Sequence, residues 1–238
     1  MKVNDDLYVI PVTFVGPLGS MVLNLALIVG PDRDTTLVDA SMPGHVDEVA
    51  AALAADGFSM DDLRQIVVTH QDVDHIGSLA AIKIRSCATV IAHSIEAPYI
   101  EGKERLVKYP SQERLDQNPG MKEIFDQIGF APVDRLVEDG DLLEIGGGTR
   151  VIHTPGHTPG HISLFLERSK TLISGDALTS ADGQLAGPSV GATPDYSTAV
   201  ESVKKLAALP EVNAIVTYHG GLVTDDPLGQ LRRVAASL

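Results

Sequence analysis

The sequence predicts an α/β protein built as a four-layer αββα sandwich. The first half runs from several strands into strands alternating with helices, and the second half restarts that pattern. Two similar αβ halves of this kind bury their sheets against each other and leave helices outside. With 238 residues, 44% of them apolar and 21% charged, the chain can bury one large core. No low-complexity tract or linker divides it, so residues 1–238 read as a single domain.

Residues 7–15 and 21–29 read as two strands joined by a turn at Gly16-Pro17-Leu18-Gly19. A second turn at Pro31-Asp32-Arg33-Asp34 leads to a strand over Thr35–Asp39. Pro43-Gly44 opens an alanine-rich helix over 45–56 that stops at Gly57. A strand over 65–69, a polar turn, a helix over 76–84 and a strand over 88–92 follow. Residues 93–132 are more charged and hold Pro98, Pro110, Pro119 and Pro132, with a helix expected over 121–127. An insert of this kind is expected to form a lid or binding loop. Strands are then expected near 133–137, 141–145, 149–154, 161–167 and 170–174. A helix over 195–208, a strand over 212–217 and a helix over 226–237 complete the chain. Gly146-Gly147-Gly148 joins two of these strands and lacks a following Lys-Ser/Thr, so it reads as a hairpin turn, not a phosphate loop.

The polar turn is the chemical centre. Thr69-His70-Gln71-Asp72-Val73-Asp74-His75-Ile76-Gly77 places two histidines and two aspartates between a strand and a helix. Capping the helix would need one aspartate; four ligand-type side chains on such a turn are a metal-ligand pattern. Asp39, His157, Asp176 and His219 likewise end apolar strands or follow them closely. If these strand ends share one sheet edge, the site collects His70, Asp72, Asp74, His75, His157, Asp176 and His219. One zinc prefers about four ligands, so this set suits two metals sharing a carboxylate. His153 and His161 read as supporting residues, and His45 and His93 as ordinary surface or hydrogen-bonding ones.

Bulk properties narrow the partners. A net charge of −14 disfavours nucleic acid and anionic membrane surfaces. No apolar run is long enough for a membrane span, and the first residues lack a signal-peptide pattern, so a cytoplasmic protein is expected. The single cysteine, Cys87, excludes an internal disulfide and reads as a small core residue. A small-molecule substrate is the expected partner, and a homodimer is compatible with the sequence.

The motifs together resemble the metallo-β-lactamase fold superfamily over essentially the whole chain. The family pattern H-x-H-x-D-H, G-H-T, G-D and a late histidine is matched by His70-Gln-Asp72-Val-Asp74-His75, Gly156-His157-Thr158, Gly175-Asp176 and Tyr218-His219-Gly220. The resemblance implies that His70, position 72 and His157 hold a first divalent ion, and that Asp74, His75 and His219 hold a second, with Asp176 bridging. It casts Asp39 as the buried aspartate supporting the metal-site loop. It also implies hydrolysis by a metal-bridging hydroxide, with Asp74 as the catalytic residue that orients it or takes its proton. Zinc is the expected metal. The departure is Asp72, where the family has histidine: a harder, charged donor shifts preference toward manganese or iron.

Substrate is narrowed by comparison with branches of the family. Acyl-homoserine lactonases carry a tyrosine shortly after the bridging aspartate, whereas Ala177-Leu178-Thr179-Ser180 follows here. Glyoxalase II enzymes add a C-terminal helical domain and the nucleases an extra domain, neither expected from this sequence. A small ester, thioester or lactone remains, with β-lactam hydrolysis as a side activity. Diiron members carry a carboxylate at the position of Asp72, so a diiron or mononuclear-iron oxidoreductase is the alternative. Tyr99 and Lys103, in the insert, are candidate substrate contacts.

Overall fold

The computed structural model describes residues 1–16, 19–30 and 34–238. The turns expected at 16–19 and 31–34 fall on positions 17, 18 and 31–33, which lie outside the described residues. Among the described residues, seven strands form the first sheet in sequential order. They are β1 (Lys2–Asn4), β2 (Leu7–Gly16), β3 (Gly19–Val29), β4 (Thr35–Val38), β5 (Leu63–Val68), β6 (Thr89–His93) and β7 (Arg135–Val137). The first four pair antiparallel; β4 to β7 pair parallel.

The crossovers carry helices. These are α1 (Val46–Ala55), α2 (Val73–Ile76), α3 (Leu79–Ser86), α4 (Ala97–Ile100), α5 (Gln112–Gln117) and α6 (Pro119–Asp126). The helix expected over 76–84 is therefore two. The break falls at Gly77–Ser78, where the chain presses on Met42–Pro43: a Cβ on Gly77 would lie 2.2 Å from Pro43 N. The 93–132 segment holds α4 and α5 as well as the expected helix.

The second sheet runs β15-β14-β11-β10-β9-β8. Its strands are β8 (Leu142–Leu143), β9 (Thr149–His153), β10 (Ile162–Leu166), β11 (Thr171–Ile173), β14 (Ala214–Thr217) and β15 (Gly221–Val223). A short hairpin, β12 (Thr179–Ala181) with β13 (Gln184–Ala186), stands apart from it. Helices α7 (Tyr196–Ala207) and α8 (Pro227–Ser237) cover the outer face.

Period-two alternation builds the layers. Val9, Ile28, Val38, Val67 and Ile91 point from the first sheet toward Val151, Leu164, Ile173 and Val216 of the second. Their neighbours Ile10, Leu27, Leu37, Ile66 and Val90 face the other way, onto α1 and α3 through Val49, Leu53 and Ile82. In the second sheet Phe165, Leu172 and Ile215 face Val203 and Leu206 of α7 and Leu231 of α8. Each buried aliphatic contributes about 1.5–3 kcal/mol, so both faces of every central strand are committed. This is the expected αββα sandwich.

One expectation fails. Cys87 is exposed, at the left-handed C-cap of α3 with φ +57°, and not in the core. The helix ends there, with the Cys87 N–H closing the last turn on Lys83 O.

Candidate metal centre

The C-terminal ends of parallel strands meet at one edge of the sandwich, where open α/β sheets place their ligands. Asp39 follows β4, Thr69 to His75 follow β5, and Glu96 follows β6. From the second sheet, the His157 loop follows β9, Asp176 follows β11 and His219 follows β14. The sheets are stitched together here. Ile162 N donates to Thr69 O at 3.1 Å, and Asn24 N and Nδ2 donate to Tyr218 O at 3.0 and 3.1 Å.

All seven expected ligand residues converge. His70, Asp72, His157 and Asp176 offer ligand atoms within 4.8 Å of one another, and Asp74, His75 and His219 form a second such group. Asp176 lies between them: its Oδ2 is 3.2 Å from His157 Nε2 and 3.4 Å from His219 Nε2, and its Oδ1 is 3.5 Å from His75 Nε2. Asp72 Oδ2 is 3.0 Å from His157 Nε2 and 3.3 Å from His70 Nε2. Asp74 Oδ2 is 3.2 Å from His219 Nε2.

The surrounding hydrogen bonds aim these groups. Asp39, 1% exposed, accepts from Thr69 N at 2.8 Å and from the Thr69 hydroxyl at 2.9 Å, and its Oδ2 lies 3.0 Å from His75 Nδ1. The Thr69 oxygen is 3.0 Å from His70 Nδ1. Having given its proton to Asp39, it accepts the Nδ1–H of His70. Both imidazoles thus carry a proton on Nδ1 and turn Nε2 into the cluster. Asp176 is held through its backbone, whose N–H donates to His161 Nε2 at 3.0 Å. His161 in turn bonds Thr154 through Nδ1 at 2.9 Å. Tyr218 donates its hydroxyl to Asp74 O at 2.6 Å. The His157 loop sits tightly on α7: a Cβ at Gly156, φ +127°, would lie 2.3 Å from Ala199 N.

His70 Nε2, His75 Nε2 and Asp176 Oδ1 are buried without a hydrogen-bond partner among the described residues. Orphaned buried polar atoms are costly, and three aimed at one space call for a cation. The electrostatics agree. Burial and the neighbouring His75 push His70 down to about 4, which leaves its lone pair free. Burial opposes charge on His219, yet its bonds to Asp176 and Asp74 outweigh it and lift the imidazole to about 10. Burial likewise disfavours ionised Asp176, but His75, His157 and His219 hold it well below the usual carboxylate range. A field that draws protons onto imidazoles draws a divalent cation equally, so the residues fit the expected metals.

The candidate substrate contacts lie elsewhere. Tyr99 packs on the core of the first sheet, and Lys103 is 70% exposed beside Glu101 at 2.6 Å. Among the described residues neither bonds to the ligand cluster. The cation that does is Lys108, paired with Asp72 and 2.6 Å from His157 Nε2. Glu96 was also missed. This buried carboxylate accepts Gln71 N and Nε2 at 2.9 and 3.0 Å and Gly160 N at 2.7 Å, tying the central turn to the His157 loop. No local motif marks either residue. His153 stacks on His93 at 4.4 Å, and His45 contacts the Phe14 ring.

A family model described as the metallo-beta-lactamase superfamily matches residues 22–219. The probable metallo-hydrolase YflN of Bacillus subtilis (strain 168) is 36% identical over 205 residues, covering 77% of this chain and 74% of that protein. A hydroxyacylglutathione hydrolase from Nitrobacter hamburgensis is 31% identical over 188 residues, which span 78% of this chain but only 57% of the relative. Among solved structures, a metallo-beta-lactamase family protein from Thermus thermophilus superposes with a TM-score of 0.76 at 25% identity, covering 99% of this chain and 80% of that one.

Proposed function

The chain belongs to the metallo-β-lactamase superfamily, and on that premise we propose that it is a two-metal hydrolase of a small ester, thioester or lactone. The carrying observation is the pair of ligand groups with Asp176 lying between them, and three buried ligand atoms aimed inward without a hydrogen-bond partner among the described residues. His70, Asp72 and His157 would hold one divalent ion and Asp74, His75 and His219 the other, with Asp176 between them. Zinc is the first choice, with manganese or iron as alternatives because of Asp72. Bound there, such ions supply Lewis acidity toward a carbonyl and lower the pKa of water.

The protein's own contribution is orientation and proton handling. Asp39, Thr69 and His161 fix the imidazole tautomers and the Asp176 backbone. Asp74 is the most solvent-open carboxylate of the cluster, at 18% exposure against 15% for Asp72 and 8% for Asp176. Burial raises its pKa, but His75 and His219 hold it below the usual range. It is therefore an ionised acceptor at neutral pH, able to take a proton from the attacking water and return it to solvent. The relatives named hydroxyacylglutathione hydrolase favour a thioester among the candidate substrates.

The test is a panel of chromogenic thioesters, esters, lactones and β-lactams. Hydrolysis should stop with a chelator and return with zinc. Iron-dependent oxygen consumption without hydrolysis of any panel member would overturn the proposal in favour of an oxidoreductase.

A further inference from the structure

Lys108 stands inside the first ligand group. Its Nζ pairs with Asp72 Oδ2, lies 2.6 Å from His157 Nε2 and donates to Ala192 O at 3.1 Å. An ammonium has three N–H donors, and here Asp72 Oδ2, His157 Nε2 and Ala192 O surround it. His157 presents Nε2 to that ammonium and, at 3.0 Å, to Asp72 Oδ2, while its Nδ1 is bonded to Thr193 Oγ1 at 3.2 Å. A metal ion of the first group needs the same Nε2 and the same Asp72 oxygen, so lysine and metal cannot both occupy them.

Lys108 is also built into position. The preceding Val107 N donates to Gln71 Oε1 at 2.7 Å, and Gln71 is anchored on buried Glu96. One network therefore locates the central turn, the His157 loop and the lysine together. Charge points the same way. Where the family pattern has neutral histidine, Asp72 adds one negative charge, and Lys108 returns one positive. Among the described residues no lysine or arginine is paired with Asp74 or Asp176.

We propose that Lys108 is an internal cation of the first site, competing with a metal ion for Asp72 and His157 so that the two sites fill unequally. The Asp74, His75 and His219 group, with Asp176, fills tightly. The His70, Asp72 and His157 group fills only as Lys108 withdraws. This rests on the two-metal reading above. A ligand group open about a tenth of the time binds about tenfold more weakly than one always open.

The test titrates the chelator-stripped full chain with Co²⁺, reading the visible ligand-field spectrum, and with Zn²⁺ against a chromogenic chelator. The wild type should bind one tight equivalent and a second about tenfold weaker or more. Lys108→Met should tighten the second equivalent by about that factor and leave the first unchanged. Lys108→Arg, which keeps the charge, should keep the weak second equivalent. Two equally tight equivalents in the wild type, or constants unmoved by Lys108→Met, would overturn the proposal. Should Lys108→Met fail to fold by circular dichroism, Lys108→Gln carries the same expectation. No tight equivalent in any of these proteins would instead sink the two-metal reading, and this proposal with it.

Discussion

Asp39→Asn isolates how the protein tunes a metal ligand without touching the metal. The substitution is isosteric, at a position 1% exposed. Asp39 has φ +67°, a left-handed conformation that asparagine tolerates, so the backbone is not strained by the change. The Asn oxygen keeps Thr69 N and its hydroxyl, at 2.8 and 2.9 Å in the wild type. The amide nitrogen must then face His75 Nδ1, 3.0 Å away. Two donors cannot share that contact, so the His75 proton moves to Nε2 and its lone pair leaves the metal site. Losing such a partner weakens metal binding about 10–100-fold, or about 1.4–2.7 kcal/mol. His70 keeps its Thr69 partner, so the loss falls on the second group and narrows or removes its lead over the first. Chelator competition with Zn²⁺, checked by circular dichroism for folding, reads this directly. A folded Asp39→Asn protein with both constants at wild-type values would refute the tautomer argument.

Two further outcomes follow from the same network. Glu96→Ala leaves Gln71 N, Gln71 Nε2 and Gly160 N without an acceptor. At about 1–3 kcal/mol per buried donor, the urea midpoint should fall clearly; an unmoved midpoint would show that water substitutes for the carboxylate. The metal-stripped protein should also show a stability window. His219 and His75 are raised by their carboxylates against burial, so their contribution is complete below pH 6.5 and fades as pH rises through about 10 for His219. Asp72 and Asp176, depressed despite burial, contribute above pH 3.8 and lose that contribution as pH falls further. The stripped protein's Tm should therefore drop between pH 6.5 and 10, while the metal-loaded Tm should not, because fewer protons compete for the ligand atoms. A flat Tm for the stripped protein across that range would contradict the assignment.

Sequence patterning carried the layers because both faces of the central strands are buried. Val67 and Ile66, or Ile91 and Val90, are apolar neighbours pointing into different cores, and so short a β-branched run fits an interior strand. The metal-site motif was legible because chemistry fixes residue type at each strand end. Lys108 and Glu96 were not, since their partners Asp72, His157, Gln71 and Gly160 are remote in sequence and no spacing rule links them. The β12–β13 hairpin was missed for a related reason. Its three-residue strands carry no alternation, and its register depends on contacts such as Leu185 N to Gln230 Oε1 at 2.7 Å. Cys87 misled because its segment is apolar in sequence, whereas it stands at the exposed end of α3, where the helix stops.

The meaning of Asp72 changes once Lys108 is beside it. Taken alone, a carboxylate in a histidine position makes the first site harder and more negative, and so more attractive to manganese or iron. Paired with an ammonium, the same oxygen is a shared acceptor with its charge already countered. Burial disfavours ionised Asp72, yet His70, His157 and Lys108 hold it well below the usual carboxylate range. A metal arriving at His157 must displace the lysine from both contacts and separate a partly desolvated ion pair, which in such surroundings is unfavourable. Metal choice at this site is thus governed less by the hardness of Asp72 than by what replaces the interaction of Asp72 with Lys108. An ion of higher charge density is favoured only to the extent that it outcompetes that ammonium. The proposed unequal filling rests on two residues read together, where either alone points to a simpler change of metal.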